Sequence, residues 1–256
     1  MSRWDDLPRR VWIGLFRALQ RYHRYTVDGL ERLDVGPALI VGYHGRPFAW
    51  DMCMLMVALH DRLGYLPHGV IHRGVDQVRV LRWISGSLGA VTGDHDGLAR
   101  VLERGEHIVV TPGGTREGCR TFRERYRVAW GERVGYLRLA LKYRLPVVPV
   151  AAAGADGTYI GLTDGPALGR WLGLPREWEW LPWLGIGPLG PFPLSPPFPV
   201  RMRQLVGEPI DLGRDGTVAP DDREGLLRLH RRVTGAVQAL LDRARARNGT
   251  REGDRP

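Results

Sequence analysis

The chain has 256 residues, 43% of them hydrophobic and 25% charged, so it can bury one full core, and its length fits a single α/β domain. Two cysteines, Cys53 and Cys119, exclude a disulfide framework and a cysteine-built metal site, which points to a reducing compartment and to no bound metal. The net charge of +9 calls for an anionic partner, whether nucleic acid, an anionic membrane surface or a charged substrate such as a phosphopantetheine carrier, although an arginine-rich solvated surface carries the same excess.

In chain order the first expected element is a helix over residues 4–25. Trp4, Leu7, Val11, Leu15, Leu19 and Tyr22 recur at spacings of three and four, Trp12 and Phe16 widen the apolar side, and Arg9, Arg10, Arg17, Arg21 and Arg24 fall on the opposite arc. A basic amphipathic helix of this kind either lies in a membrane interface or packs on a core with its arginines in water. The arginines interrupt any clean apolar stretch, so no cleavable secretory signal is expected.

Strand-like runs follow at residues 38–41, 108–111, 147–152 and 200–206, alternating with helical patterns at 48–61, 75–85, 97–104, 132–143 and 222–246. This is the alternation of an α/β fold with a mostly parallel central sheet flanked by helices. In the last helix Leu226, Leu229, Val233, Val237 and Leu240 form a core-facing stripe, Asp221 is the candidate N-cap and Asn248-Gly249 the candidate stop. Residues 169–199 carry tryptophans at 171, 178, 180 and 183 among many prolines. That segment is expected to be a long irregular loop, and its aromatic content argues against disorder. Residues 180–200 are uncharged and long enough to cross a bilayer, but their prolines and glycines are incompatible with a spanning helix, so no transmembrane helix is expected. The expected organisation is an amphipathic membrane-associating helix at 1–25, one domain at 26–247 and a disordered tail at 248–256.

Two segments carry the chemistry. Tyr43-His44-Gly45-Arg46-Pro47-Phe48-Ala49-Trp50-Asp51 and Thr111-Pro112-Gly113-Gly114-Thr115-Arg116-Glu117 each follow a strand-like run. In an open parallel sheet both emerge at the carboxyl edge, where ligands of such folds bind. His44 is a candidate general base, and a carboxylate bonded to its other ring nitrogen would fix the tautomer and stabilise the imidazolium that forms. Asp51 is one candidate for that carboxylate. The Pro112-Gly113-Gly114 turn lets backbone amides approach an oxyanion or a phosphate, and Arg116 adds a fixed cation. Taken alone, the same turn is an ordinary strand-to-helix connection.

Four blocks stand in order: Val27-Asp28-Gly29-Leu30-Glu31 leading to Tyr43-His44-Gly45; Gly86-Ser87-Leu88-Gly89-Ala90-Val91; residues 111–117; and Leu145-Pro146-Val147-Val148-Pro149-Val150 followed by Gly154-Ala155-Asp156. Together they resemble the lysophospholipid acyltransferase superfamily (glycerolipid acyltransferases), in particular its branch similar to mono- and diacylglycerol acyltransferases, over residues 26–211. The resemblance implies a one-step transfer in which His44 deprotonates the hydroxyl of a lipid acceptor, whose oxygen attacks an acyl thioester. It implies His44, Asp51 and Glu117 as catalytic residues and Gly45, Arg46, Gly113, Gly114, Thr115 and Arg116 as substrate-binding residues. It further implies no bound cofactor, acyl-coenzyme A or an acyl carrier protein as co-substrate, and peripheral attachment to the anionic surface on the cytoplasmic side of a membrane.

Two departures from the family pattern matter. The family usually leaves four residues between its histidine and aspartate, whereas six separate His44 from Asp51, Pro47 among them, so the pair is not aligned on one helical turn by spacing alone. Glu117, which closes the Pro-Gly-Gly motif, is the other candidate to orient His44. Members that use lysophosphatidate resemble one another in a basic residue in the second block and an arginine in the third. This chain keeps Arg116 but has Thr92-Gly93-Asp94 at the other place. That implies a neutral acceptor such as a glyceride, a long-chain alcohol or a glycolipid, and leaves Arg116 to hold a backbone loop or the phosphates of coenzyme A. The competing readings are a 1-acylglycerol-3-phosphate acyltransferase, a catalytically altered lipid-binding protein of the same fold, and a hydrolase with Cys119 as nucleophile and His44 as base. A basic nucleic-acid-binding module is not expected, because the sequence shows no helix-turn-helix, zinc or single-strand-binding signature.

Overall fold

The computed structural model describes residues 7–34, 36–71, 79–92, 95–176, 178–213 and 218–249. Among these the strands are β1 (Thr26–Asp28), β2 (Leu39–Gly42), β3 (His68–Ile71), β4 (Val91–Thr92), β5 (Ile108–Val110), β6 (Val147–Ala153), β7 (Ile160–Gly161), β8 (Gly185–Gly187), β9 (Gly190–Pro191) and β10 (Arg203–Val206). The helices are α1 (Leu7–Tyr22), α2 (Trp50–Leu63), α3 (Arg79–Ser87), α4 (His95–Glu103), α5 (Thr115–Gly118), α6 (Gly135–Tyr143), α7 (Gly165–Trp171) and α8 (Arg223–Gly249).

Seven strands build the central sheet in the order β1-β10-β6-β2-β5-β3-β4. All neighbours are parallel except β10 and β6, so the chain adopts the mostly parallel α/β class expected. Leu39, Ile40 and Val41 are fully buried; a continuous apolar run of this kind suits a central strand covered on both faces. Successive side chains alternate between those faces. Leu39, Val41, Val147, Ala151 and Leu205 meet the predicted α8 stripe of Leu226, Leu229, Val233, Val237 and Leu240. Ile40, Val148, Val150 and Val206 meet Met52, Leu55, Met56 and Leu59 of α2.

The predicted runs at 38–41, 108–111, 147–152 and 200–206 are β2, β5, β6 and β10. β10 begins at Arg203, and just ahead of it the Met202 amide donates to the His23 carbonyl and the Thr26 amide to the Met202 carbonyl. Of the helix expected at 75–85, the described part is α3, Arg79–Ser87; residues 72–78 lie outside the described residues. Two expectations need correction. Residues 169–199 are not one irregular loop, because β8 and β9 form an antiparallel three-stranded sheet with β7. Trp183 is buried there against Tyr159 and Cys119, with Trp180 and Phe192 packed on them. Of the tail expected at 248–256, Asn248 and Gly249 belong to α8, and the Asn248 side-chain amide donates to the Arg201 carbonyl at 3.2 Å; residues 250–256 lie outside the described residues.

Two readings stand open for α1, a membrane-interface helix and a helix packed on the core. Trp4 lies outside the described residues, and Trp12 and Phe16, which widen the apolar side, lie on the core-packed arc. Ile13 and Phe16 are buried with Met54, Val57 and Met202, and Trp12 and Leu19 pack against them. Leu7, Val11 and Leu15 form a second stripe, with Val11 60% exposed. Their spacing of four residues places them on one side of the helix, roughly 150° from the centre of the buried arc. The orientation is testable by substitution: Phe16→Ala is expected to cost about 3–5 kcal/mol in chemical denaturation, and Leu15→Ala to stay within about 0.5 kcal/mol of the parent. Equal costs would reverse the assignment of faces.

Candidate active site

β2 and β5 are neighbours in parallel register. The turn after β2, carrying His44, and the turn after β5, carrying residues 111–117, therefore leave the carboxyl edge side by side. His44 is buried, and its Nδ1 lies 3.1 Å from the Gly45 carbonyl oxygen. A carbonyl only accepts, so Nδ1 carries the proton and donates it, and Nε2 is the nitrogen with the free lone pair. Burial pulls the His44 pKa down to about 4, and the charges of Arg133 and Arg120 act in the same direction. The ring is neutral at pH 7, so Nε2 can take a proton there.

The six-residue spacing between His44 and Asp51 has a structural account. Residues 45–49 make a turn in which the Ala49 amide donates to the Gly45 carbonyl at 2.9 Å, and α2 starts only at Trp50. Asp51 tucks beneath Gly45, where a Cβ would lie 2.5 Å from Asp51 Oδ1. Both carboxyl oxygens of Asp51 are buried without a hydrogen-bond partner among the described residues, so Asp51 does not hold the His44 ring. Burial pushes its carboxyl up to about 8, and the charge of Asp156 adds to this.

Glu117 is close to His44 but reaches its main chain. Oε2 accepts from the His44 amide at 2.9 Å and from Trp130 Nε1 at 3.0 Å, and Oε1 accepts from the Ala129 amide at 2.8 Å. Burial raises its carboxyl to about 7 against the pull of these donors. The two glycines flanking this arrangement leave no room for a side chain. A Cβ on Gly113 would lie 2.3 Å from Glu117 Oε2, and one on Gly118 would lie 2.7 Å from His44 Nδ1. The glycine turn thus closes on Glu117, and the Gly114 amide, expected to face a ligand, donates to the Thr111 carbonyl at 3.0 Å. Thr115 and Gly45 also sit in the turns beside His44, where the Thr115 carbonyl accepts from the Cys119 amide at 2.8 Å.

Arg46 was expected to bind substrate; the structure buries it completely. Its Nη2 donates to the Thr121 carbonyl at 2.6 Å and its Nε faces Asp156 at 3.4 Å. Asp156 also accepts from the Tyr126 amide and the Tyr43 hydroxyl, and Arg120 Nη2 donates to that hydroxyl at 2.6 Å. This network anchors the residues on both sides of His44. Arg116 remains partly exposed and pairs with Glu179. The holding of the turn's backbone falls to Arg133, whose Nη1 donates to the Pro112 and Gly113 carbonyls at 2.7 and 2.6 Å. Cys119 is buried with its thiol pushed up to about 12 by burial, which removes the thiolate that a hydrolase would need. Residues 93–94, part of the departure noted in the second block, lie outside the described residues.

Trp130, Arg133, Arg120 and Glu179 took no part in the sequence reading. Each acts across a long stretch of chain, so no local spacing marks it. Tyr43 and Asp156 stood inside the quoted blocks, and a polar residue in an otherwise apolar strand end was the available signal. A cavity of about 430 Å³, lined by His68, Gly89, Val91, Arg100 and Arg104 among others, lies away from all these side chains.

The family model described as acyltransferase matches residues 24–153, just over half of the chain, and the chain belongs to that family. It is similar to the Bos taurus protein named DGAT1/2-independent enzyme synthesizing storage lipids, at 27% identity over 254 residues, covering 94% of this chain and 71% of that one. The Homo sapiens protein of the same name is 27% identical over 245 residues, covering 94% and 68%. An uncharacterized protein of Mycobacterium tuberculosis (strain ATCC 25618 / H37Rv) is 30% identical over 230 residues, covering 87% and 62%. The chain thus spans about two thirds of the length of these curated relatives. The crystal structure of the 1-acyl-sn-glycerophosphate (LPA) acyltransferase PlsC from Thermotoga maritima aligns with a TM-score of 0.49 and 16% identity over 91% of this chain and 82% of that one.

Asp51 offers a test by stability. Its folded-state pKa is raised to about 8, against about 3.9 for an unfolded aspartate. The folded protein therefore holds the extra proton between these values, and the stability contributed by this group is full below about pH 4 and is lost as the pH rises to about 8. Asp51→Asn cannot ionise. Its melting temperature relative to the parent is expected to climb between pH 5 and pH 8.5 in differential scanning calorimetry; a constant difference would show that Asp51 is ionised throughout.

Proposed function

We propose that this acyltransferase transfers a fatty acyl group from an acyl thioester, carried by coenzyme A or an acyl carrier protein, to the hydroxyl of a lipid acceptor at a membrane surface, with His44 as general base. The observation that carries the reading is the Nδ1 donation to the Gly45 carbonyl in a neutral ring. It leaves Nε2 to take the acceptor's proton while the acceptor oxygen attacks the thioester carbonyl. The tetrahedral intermediate then collapses, the carbon–sulfur bond breaks, and the thiolate leaves with the proton returned from the imidazolium. A buried imidazolium near Arg133 and Arg120 is unfavourable, which favours that return over storage of the charge. The names of the bovine and human relatives, which speak of storage lipids, favour a glyceride as the acceptor.

Surface chemistry supports the membrane part of the proposal. Among the described residues no helix is long and apolar enough to cross a membrane. Exposed apolar side chains instead concentrate on the β7–β9 segment, where Trp171 and Leu189 are each 80% exposed, and on the open stripe of α1 beside the exposed Arg10, Arg17 and Arg21. Tryptophan and leucine next to arginine suit the interface of an anionic bilayer. Phe48, in the turn after His44, packs edge-on against Trp180 and Phe192 of the same segment, so docking there would set the reacting turn near lipid.

Two measurements test this. His44→Ala is expected to lower acyl transfer by about a hundred- to ten-thousand-fold with the fold intact. In the parent the acid limb of kcat/KM is expected to fall near pH 4, following the depressed His44 pKa, because a base works only when deprotonated; a limb near pH 6.5 would place the ring in water. Separately, Trp171→Asp with Leu189→Asp is expected to weaken co-sedimentation with phosphatidylglycerol vesicles, and added salt to weaken that of the parent as exposed charges are screened. A parent chain that ignores vesicles at every salt concentration would remove the membrane from the proposal.

A further inference from the structure

Arginines gather beside the turn after β5. Arg116 leaves α5 next to Glu117, which grips the His44 amide, and two residues before Gly118, which abuts the His44 ring. Arg133 holds the Pro112 and Gly113 carbonyls. Its pKa is lowered by burial and then by the positive charges of Arg116 and Arg176. Guanidinium groups crowded in this way, with solvent partly excluded, are what a phosphate monoester binds by paired charge-assisted hydrogen bonds.

Glu179 stands in the way of such a ligand. Its Oε2 lies 3.2 Å from Arg116 Nη2 and 3.3 Å from Arg170 Nη1. Its side chain is only 10% exposed, against 38% for Arg116, so it belongs to the wall and Arg116 to the opening. The backbone locks it there. Gly169 of α7 abuts residue 179 so closely that a Cβ on Gly169 would lie 2.2 Å from the Glu179 carbonyl oxygen and 2.5 Å from its Cα. Glu117, the other carboxylate of the region, is turned inward onto three N–H donors and faces none of these guanidinium groups in a salt bridge.

We propose that Glu179 is a specificity-determining residue, a built-in anion that occupies Arg116 and Arg170 and so excludes acceptors bearing a phosphate. The inference rests on the acyl-transfer reading above and names its acceptor class. A neutral acceptor such as a monoacylglycerol meets no charge of its own kind. A phosphate monoester must displace a carboxylate fixed by the packing of α7 and then lie beside it, which rejects the wrong ligand through repulsion as well as through a missing contact.

The test uses the full chain, acyl-coenzyme A, and two acceptors in the same neutral detergent micelles: a monoacylglycerol and a 1-acylglycerol 3-phosphate of equal chain length. The parent is expected to favour the monoacylglycerol in kcat/KM. Glu179→Gln is expected to shift the ratio toward the phosphate acceptor by about tenfold or more, through a lower KM for that acceptor, and Glu179→Asp to stay near the parent. Adding Arg116→Gln to Glu179→Gln is expected to cancel the shift, which a merely structural role for Glu179 would not produce. A parent that prefers the phosphate acceptor overturns the proposal whatever the variants do. An unchanged ratio in folded Glu179→Gln also overturns it, as does a change confined to the KM for acyl-coenzyme A, which would assign the arginines to the donor. In each of these cases the acyl-transfer reading survives; a parent that acylates neither acceptor overturns both.

Discussion

Glu117 accepts N–H groups from the His44 amide, the Ala129 amide and the Trp130 indole, and the geometry of the whole site follows from that carboxyl. It joins the turn after β2 to the turn after β5, and through Trp130 it joins both to the core, since Trp130 packs edge-on against Tyr136 at 5.8 Å. Each donor left without its acceptor in a buried place costs about 1–3 kcal/mol. No other residue type serves as well here, because a glutamine would turn an N–H group toward donors. The close approach requires Gly113, where any Cβ would overlap the Glu117 side chain. The glycine turn is therefore a packing requirement of the carboxyl before it is anything to a ligand.

A second buried anion completes the support. Asp156 gathers Tyr43, Arg46 and Tyr126, so the residue before His44 and the second residue after it are held on one side, while Glu117 holds the His44 amide on the other. The imidazole itself is oriented by a main-chain carbonyl. This differs in kind from a carboxylate partner: a carbonyl fixes the tautomer without offering a full negative charge to the imidazolium. The depressed pKa of His44 is the expected counterpart. On the proposed mechanism the ring positions and relays a proton, with little tendency to keep it, and fixed backbone on both sides keeps that relay in place.

The central strands and the α8 stripe were legible because a parallel sheet buried on both faces writes continuous apolar runs, and a long helix over it writes a repeat of three and four. β1, β3 and β4 are short and mixed in pattern, so neither period marks them. β7, β8 and β9 fall among glycines and prolines that read as breakers. In the site, the adjacency of His44 and Glu117 followed from two strand-end turns. What Glu117 does with that adjacency did not, since an amide and an imidazole on the same residue are indistinguishable in a sequence. Asp51 shows the reverse: its type and position suggested a partner for His44, yet the turn at 45–49 rotates the start of α2 and leaves its carboxyl under Gly45 instead.

The charge excess likewise resolves only in space. Arg46, Arg120 and Arg133 are turned into the structure, where they hold carbonyls, a phenol and a buried aspartate. Arg116 and Arg170 are matched by Glu179. Arg10 and Arg21 stand exposed on α1, where Arg17 pairs with Asp61, and this basic face is one that the anionic partner called for by the composition can meet. On that helix the choice between core packing and membrane contact was posed as exclusive. The apolar arc of α1 is wider than α2 can cover: Ile13 and Phe16 meet Met54 and Val57, and the stripe of Leu7, Val11 and Leu15 stays open. Tyr22, at the end of the same helix, donates to the Pro197 carbonyl at 2.8 Å, which ties α1 to the chain leaving the tryptophan-rich segment. A helix anchored by half of its apolar surface can present the other half without detaching, so the proposed docking needs no rearrangement of the core.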